Sequence, residues 1–261
     1  MRKLLIALQF LTIVPLKGGE GASEKEIGSS STYFPVAGLA EGIVVAVIAM
    51  LFMSILPSQV VNALIVFILL ILNGGLHLDG LADTFDAIAS RGDREKKLLI
   101  MKDSSIGPIG VIAIVMSLLL SYVMLNAVHF YSAGNLYYAI LLLMTVSTRW
   151  AMVPALCYGR SARQDGLGRL FIENTGNREL LVSTLILFTI ALAVGIFFSS
   201  MNLFIFFSMM LFPALYGLSV LAVWFSKRHF DGLTGDTLGA VNEITRLIFL
   251  FITVIWLQQS I

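Results

Sequence analysis

Long apolar runs separated by short polar stretches dominate the chain. Seven runs stand out: Tyr33 to Leu56, Val60 to Leu78, Pro108 to Phe130, Leu136 to Tyr158, Leu180 to Ser199, Leu203 to Phe225 and Leu238 to Leu257. A helix rises 1.5 Å per residue, so about 20 apolar residues cross a ~30 Å hydrocarbon core. None of the runs alternates apolar and polar positions as a barrel strand would. The pattern predicts an all-α, polytopic membrane helix bundle of about seven transmembrane helices. The opening segment, Met1 to Leu16, is shorter. Arg2 and Lys3 ahead of an apolar run look like a signal peptide, but Pro15-Leu16-Lys17 offers no small-residue cleavage site. We read it as an uncleaved interfacial or re-entrant helix. No linker, low-complexity tract or internal repeat divides the chain, so residues 1–261 are taken as a single integral membrane domain.

Composition agrees with that class. Hydrophobic residues make up 58% and charged residues 13%, against about 25% charged in an ordinary soluble domain. Disorder and a disulfide scaffold are excluded by the same figures, and Cys157, the sole cysteine, has no intrachain partner. A net charge of +1 gives no reason to expect nucleic acid. The placement of charge says more than its sum. Of the 17 basic residues, 15 fall at the N-terminus or in alternate loops, and the connections around Pro57, Ser132 to Asn135 and Ser200 to Asn202 hold none. By the positive-inside rule the charged loops are cytoplasmic and the C-terminus lies outside, in a multi-pass protein of the cytoplasmic (inner) membrane. All 16 acidic residues also lie in those loops or in the cytoplasmic portions of the spans. Topology does not require that, so a site facing the cytoplasm is expected.

The densest chemistry is NGGLHLDGLADTFDAIAS, Asn73 to Ser90. Asp79, Asp83 and Asp86 are spaced i, i+4 and i+7, within about 60° of one helical face. At the bilayer centre each would cost about 2.5–3.5 kcal/mol, so this stripe must reach the interface or line a wet cavity. A divalent cation would relieve the mutual repulsion. Carboxylate oxygens with no thiolate nearby favour Mg²⁺ or Mn²⁺. His77 precedes the stripe, and a packing role for it is as reasonable as a ligand role.

A second constellation is RHFDGLTGDTLGA, Arg228 to Ala240. Asp231-Gly232 and Gly235-Asp236 are turn signals, and Asp236 or Thr237 is expected to cap the helix that follows. A helix N-terminus behind glycines presents free N–H groups to phosphate. Asp236 and Glu243 share a face, and Arg246 is spaced to pair with Glu243. Elsewhere, Lys102 and Asp103 stand just before the third span. Arg149 lies within a span, with Glu41 as its natural counter-charge; a structural pair and a substrate contact are both open.

GGLHLDGLADTFD, MKDSSIGPIG, DGLGRLF and DGLTGDTLGA, in this order, resemble the cobalamin synthase family, the adenosylcobinamide-GDP ribazoletransferases. YFPVAG and FLTIVP near the N-terminus are similar to that family too, so the likeness runs from Phe10 to Ala240. Ile13, Asn73 and Ala87 depart from the residues usual at those positions, beside an intact acidic stripe. The resemblance implies transfer of a corrinoid phosphate from adenosylcobinamide-GDP to the 5′-hydroxyl of α-ribazole or its 5′-phosphate, with Mg²⁺ as cofactor and GMP leaving. It makes the chain one catalytic domain whose partners are those two substrates and the bilayer, with a homo-oligomer left open. On that basis Asp79, Asp83 and Asp86 are the expected metal ligands, with Asp83 also catalytic. Asp236 is a further ligand or the base, with Asp231 as its rival. Lys102, Arg149 and Arg228 are the expected phosphate contacts, with His77 and Asp103 nearby. A CDP-alcohol phosphotransferase and a cation transporter are the rival classes. The Ala-Arg pair of the former is absent, because Ala82 is followed by Asp83. The acids of a transporter would sit near the midplane between inverted repeats.

Overall fold

The computed structural model describes residues 1–17 and 19–259. Two short helices, α1 (Arg2–Leu11) and α2 (Glu24–Ser29), come first, and a 3-10 turn (Ser30–Tyr33) leads into α3 (Phe34–Phe52). Then follow α4 (Ser58–Leu72), α5 (Leu76–Ala89), α6 (Arg94–Ile100), α7 (Pro108–Tyr131) and α8 (Leu136–Tyr158). The chain ends with α9 (Leu167–Asn174), α10 (Asn177–Phe197), α11 (Met201–Phe206), a π turn (Phe207–Leu211), α12 (Phe212–Phe230) and α13 (Gly235–Gln259). The described residues contain no strand, only an isolated parallel bridge between Ser161 and Leu233.

Six helical stretches are long and apolar enough to cross a membrane: Glu24–Phe52, α7, α8, α10, Met201–Phe230 and α13. The expected second span, Val60 to Leu78, is different. It stops at Leu72 as a 15-residue helix, and α5 leaves at 86° to it. Counting that bent pair as one gives seven. Glycine makes the bend: Gly74 and Gly75 take φ of +61° and +74°, the left-handed region that other residues avoid. Their N–H groups close the end of α4 on the carbonyls of Ile71 and Leu70. Hydropathy cannot register this, because two glycines hardly change a window average. The π turn has an equally local cause. Pro213 has no N–H, and its ring displaces the carbonyl one turn earlier, so the helix widens before continuing to Phe230.

α8 is the axis of the bundle. Its most apolar window is 94% buried, against 28% for α7 and α10. Gly38 and Gly42 on α3 let that helix lie against it, since a Cβ at Gly38 would stand 2.4 Å from the Thr145 carbonyl oxygen. α1 is ten residues long, too short to span, and buries Ile6, Ala7 and Leu11. Its Phe10 packs on Phe171 of α9 and Phe34 of α3. With α5 lying across the bundle, its acids meet the start of α13.

Candidate active site

The meeting of α5 and α13 depends on two glycines. A Cβ on Gly80 would fall 2.7 Å from the carbonyl oxygen of Asp236, and one on Gly239 would fall 3.1 Å from the His77 backbone. A side chain at Gly80 would force the backbones apart, and one at Gly239 would crowd them. The contact places Asp79 and Asp83, on either side of Gly80, next to Asp236. Asp79 is exposed, and Asp83 and Asp236 are half-buried.

Asp236 is held from two sides. Its Oδ2 lies 2.9 Å from Arg163 Nη2 and 3.3 Å from the Thr234 hydroxyl. The cap of α13 is Thr234, not Asp236 or Thr237 alone. The Thr237 N–H donates to the Thr234 hydroxyl oxygen at 3.1 Å, and the Thr234 N–H donates to that of Thr237 at 2.8 Å. With these N–H groups already satisfied, the Asp236 carboxylate is free to face α5. The loop bearing Arg163 is fixed to the same turn. The Leu233 N–H donates to the Arg160 carbonyl at 2.7 Å, and the Ala162 N–H to the Leu233 carbonyl at 2.8 Å. Sequence reasoning missed Arg163, which is one basic loop residue among many. Its only signal was its place two residues before DGLG.

Asp83, on a helix outside the six spans, has its carboxyl pushed up to about 7. Partial burial contributes most, followed by the charges of Asp79, Asp236 and Asp86. The cluster is thus short of positive charge. Among the described residues no three carboxylate, imidazole or thiol groups stand close enough to hold an ion by themselves. The donors present, the carboxylates of Asp79 and Asp83, are hard oxygens of the kind that hold Mg²⁺, an ion that keeps several waters and binds through one or two carboxylates plus substrate phosphates. Beside the cluster opens a cavity of about 630 Å³ between α1, α9 and the starts of α5 and α13. Ile6, Phe10, Leu76, Met152, Leu167 and Phe171 give it an apolar body, and Asp236 gives it an acidic wall.

The other expected site residues lie elsewhere or have other partners. Asp86 is on the acid face, but both its oxygens are taken by the start of α7. They accept the N–H of Gly107 at 2.7 Å and of Gly110 at 2.8 Å, so it serves as a helix cap rather than an open metal ligand. Arg149, an expected phosphate contact, is 1% exposed and pairs with Glu41 at 2.6 Å. It also donates to His77 Nε2 and to Asn242 Oδ1. His77, which borders the cavity, is thereby tied to the buried Arg149, and the arginine itself is closed to solvent. Asp231 is the left-handed C-cap of α12 and pairs with Arg94 at 3.2 Å in an exposed contact, whereas Asp236 is the one that meets the acids of α5. Arg228 lies over the exposed ring of Trp224, on the outside of the bundle. Lys102 pairs with Asp165 at 3.1 Å, and that hydrogen bond holds the Asp165 carboxyl below the usual range. Asp103 accepts from the Ser105 N–H and hydroxyl in its own turn, which lowers it likewise. Arg246 pairs with Glu243, as the spacing predicted, and donates to Ser117 and Ser121.

A family model described as cobalamin-5-phosphate synthase matches residues 3–254. Three similar proteins are each named adenosylcobinamide-GDP ribazoletransferase. The one from Thermodesulfovibrio yellowstonii is 36% identical, covering 96% of this chain and 95% of its own. That from Geotalea daltonii is 35% identical over 96% of both chains. That from Fusobacterium nucleatum is 35% identical over 97% and 96%. No solved structure matches the chain.

Proposed function

The chain belongs to the cobalamin-5-phosphate synthase family, and from that premise we propose that it transfers the adenosylcobinamide-phosphate group of adenosylcobinamide-GDP to a ribose hydroxyl of α-ribazole or α-ribazole 5′-phosphate. The latter has no free 5′-hydroxyl, so the acceptor is a ring hydroxyl common to both and not the 5′-hydroxyl expected above. GMP leaves, and adenosylcobalamin or its 5′-phosphate forms. The observation that supports this reading is the charge-deficient cluster of Asp79, Asp83 and Asp236 beside an apolar cavity. A diphosphate cannot approach three carboxylates without cations. An apolar bed next to them suits substrates with large unsaturated rings.

The bonds balance simply. The acceptor's ribose hydroxyl oxygen bonds to the phosphorus that carries the cobinamide, the bond from that phosphorus to the bridging oxygen breaks, and the hydroxyl proton goes to a base. Asp236 is that base in our reading, with Asp83 as the neighbouring catalytic carboxylate. Asp79 and Asp83 would hold Mg²⁺. When bound, the ion neutralises charge on the diphosphate and on departing GMP. The protein's own part is to fix the acids by the Gly80–Gly239 contact and to exclude bulk water with α1 and α9. The hydroxyl beside Asp236 is that of Thr234, which is buried and serves as the cap of α13, so we read the transfer as direct attack without a covalent intermediate.

We place the site at the cytoplasmic face of the membrane, on the asymmetry of basic loops. In a cysteine-free background, cysteine at Ser104 should react with an impermeant reagent only from the cytoplasm, and cysteine at Asn135 only from outside. Reaction of both from one side would overturn the orientation. For the reaction, purified protein with Mg²⁺ and both substrates should yield GMP and corrinoid product one for one, and chelation should stop both. GMP release without α-ribazole would make it a hydrolase. CMP release from a CDP-lipid would make it a CDP-alcohol phosphotransferase, and no nucleotide release would leave a transporter.

A further inference from the structure

Of the residues expected to meet the substrate's diphosphate, Arg149 is sealed with Glu41, Arg228 lies outside on Trp224, and Lys102 sits in an exposed pair with Asp165; none of them is paired with an acid of the cluster. Arg163 stands at the acids instead. Its Nη2 lies 2.9 Å from Asp236 Oδ2, with the two side chains 19% and 21% exposed. Its Nε is shut from solvent and donates to nothing. A guanidinium carries five N–H donors in a planar fork, and Asp236 engages one edge of it at most. A buried, unused donor beside a cluster short of positive charge is a vacancy for an anion.

The backbone makes that vacancy stable. The two hydrogen bonds between residues 160–162 and Leu233 fix the loop of Arg163 to the turn of Asp236. A Cβ on Gly232 would lie 2.4 Å from the Arg160 carbonyl oxygen, so the two strands of chain cannot come closer or be spaced by a side chain there. The backbone that carries Arg163 is therefore tied to the turn that carries Asp236, and the two side chains can part without the chain moving.

We propose that Arg163 is the diphosphate-binding residue, held by Asp236 until the corrinoid nucleotide arrives. In the complex the guanidinium fork turns to the phosphate oxygens. Asp236, relieved of its partner, then accepts the proton of the acceptor's ribose hydroxyl as the new P–O bond forms and GMP departs with the bridging oxygen. The proton acceptor is thus released by the same substrate whose transfer requires it. This inference rests on the phosphoryl-transfer reading above.

Two measurements separate the inference from that reading. In steady-state assays, Arg163→Gln should lower kcat/KM for adenosylcobinamide-GDP about 100-fold, and Arg163→Lys about tenfold, with KM for α-ribazole unchanged. Guanidinium added to Arg163→Gly should restore part of the loss. A Gln variant that loses kcat while keeping the KM for the diphosphate would reduce Arg163 to a support for Asp236 and overturn the proposal. Titration calorimetry with GDP and Mg²⁺ tests binding without turnover. Wild type should bind GDP about tenfold more tightly than a folded Arg163→Gln. Equal binding by the two also overturns the proposal. A wild-type protein that binds GDP through Arg163 but releases no GMP from the two substrates would instead sink the reaction assigned above.

Discussion

Two groups of charges lie along α13, about 10 Å apart by helix rise. The inner one is complete. Arg149 faces Glu41, Arg246 faces Glu243, and Asn242 links them by accepting from Arg149 and donating to Glu243 at 3.1 Å. Two cations meet two anions, and all four side chains are at most 10% exposed. The outer group is Asp79, Asp83 and Asp236, partly open and served by Arg163 alone. Burial inside a bundle makes an unpaired charge costly, so the inner group had to be closed by the protein itself. The outer group reaches a cavity, where something other than the protein can balance it. The difference separates residues that hold helices from residues that act, though both sets look alike as charges in apolar sequence.

The contrast can be broken from either side. The largest effect is expected at Asp83. Asp83→Asn should cost at least about 100-fold in turnover, because it removes the carboxylate that stands between both neighbours. Its melting temperature in detergent should not fall, since like-charge repulsion is relieved. Near-normal kcat at saturating Mg²⁺ would mean the outer group is structural as well. Next comes the inner pair. Arg149→Met strands Glu41 and should cost about 3–5 kcal/mol in stability, and adding Glu41→Gln should recover much of it. A double variant no more stable than the single one would show that the network does not work as a balanced pair. The smallest effect tests Asp86, which lies at the boundary between the two kinds. Asp86→Asn loses one of two cap bonds, so stability should drop by about 1 kcal/mol. The Mg²⁺ concentration for half-maximal activity should stay where it is. A severalfold rise in that concentration would return Asp86 to the metal.

Asp79, Asp83 and Asp236 could be read from sequence because charge in an apolar run is expensive and must be explained. Arg149 was visible for the same reason, and its pairing with Glu41 was one of the two roles open to it. The role of Asp86 was not legible, because its partners Gly107 and Gly110 are 21 and 24 residues away and make contact only after α5 has turned. Arg163 was hidden by its company. Loops on one side of the membrane are basic for topological reasons, and nothing local separates a phosphate-binding arginine from the rest. The long apolar helices were legible nearly to their ends, but not the break at Gly74 or the π turn at Phe207–Leu211, where backbone conformation rather than hydropathy decides, nor the short loop helices α2, α6 and α9.

The turn at Gly74 and Gly75 has a consequence for the lipid as well. α4 ends after 15 residues and reaches about 22 Å, short of a ~30 Å hydrocarbon layer. A stretch that short meets its surroundings by thinning them, at a fraction of a kcal/mol for each ångström of mismatch. We expect acyl chains beside α4 to compress and the headgroup boundary to dip toward Asp79 on that flank, so that water and polar headgroups descend to the carboxylates. Activity should therefore vary with acyl chain length, falling as thicker bilayers resist the dip.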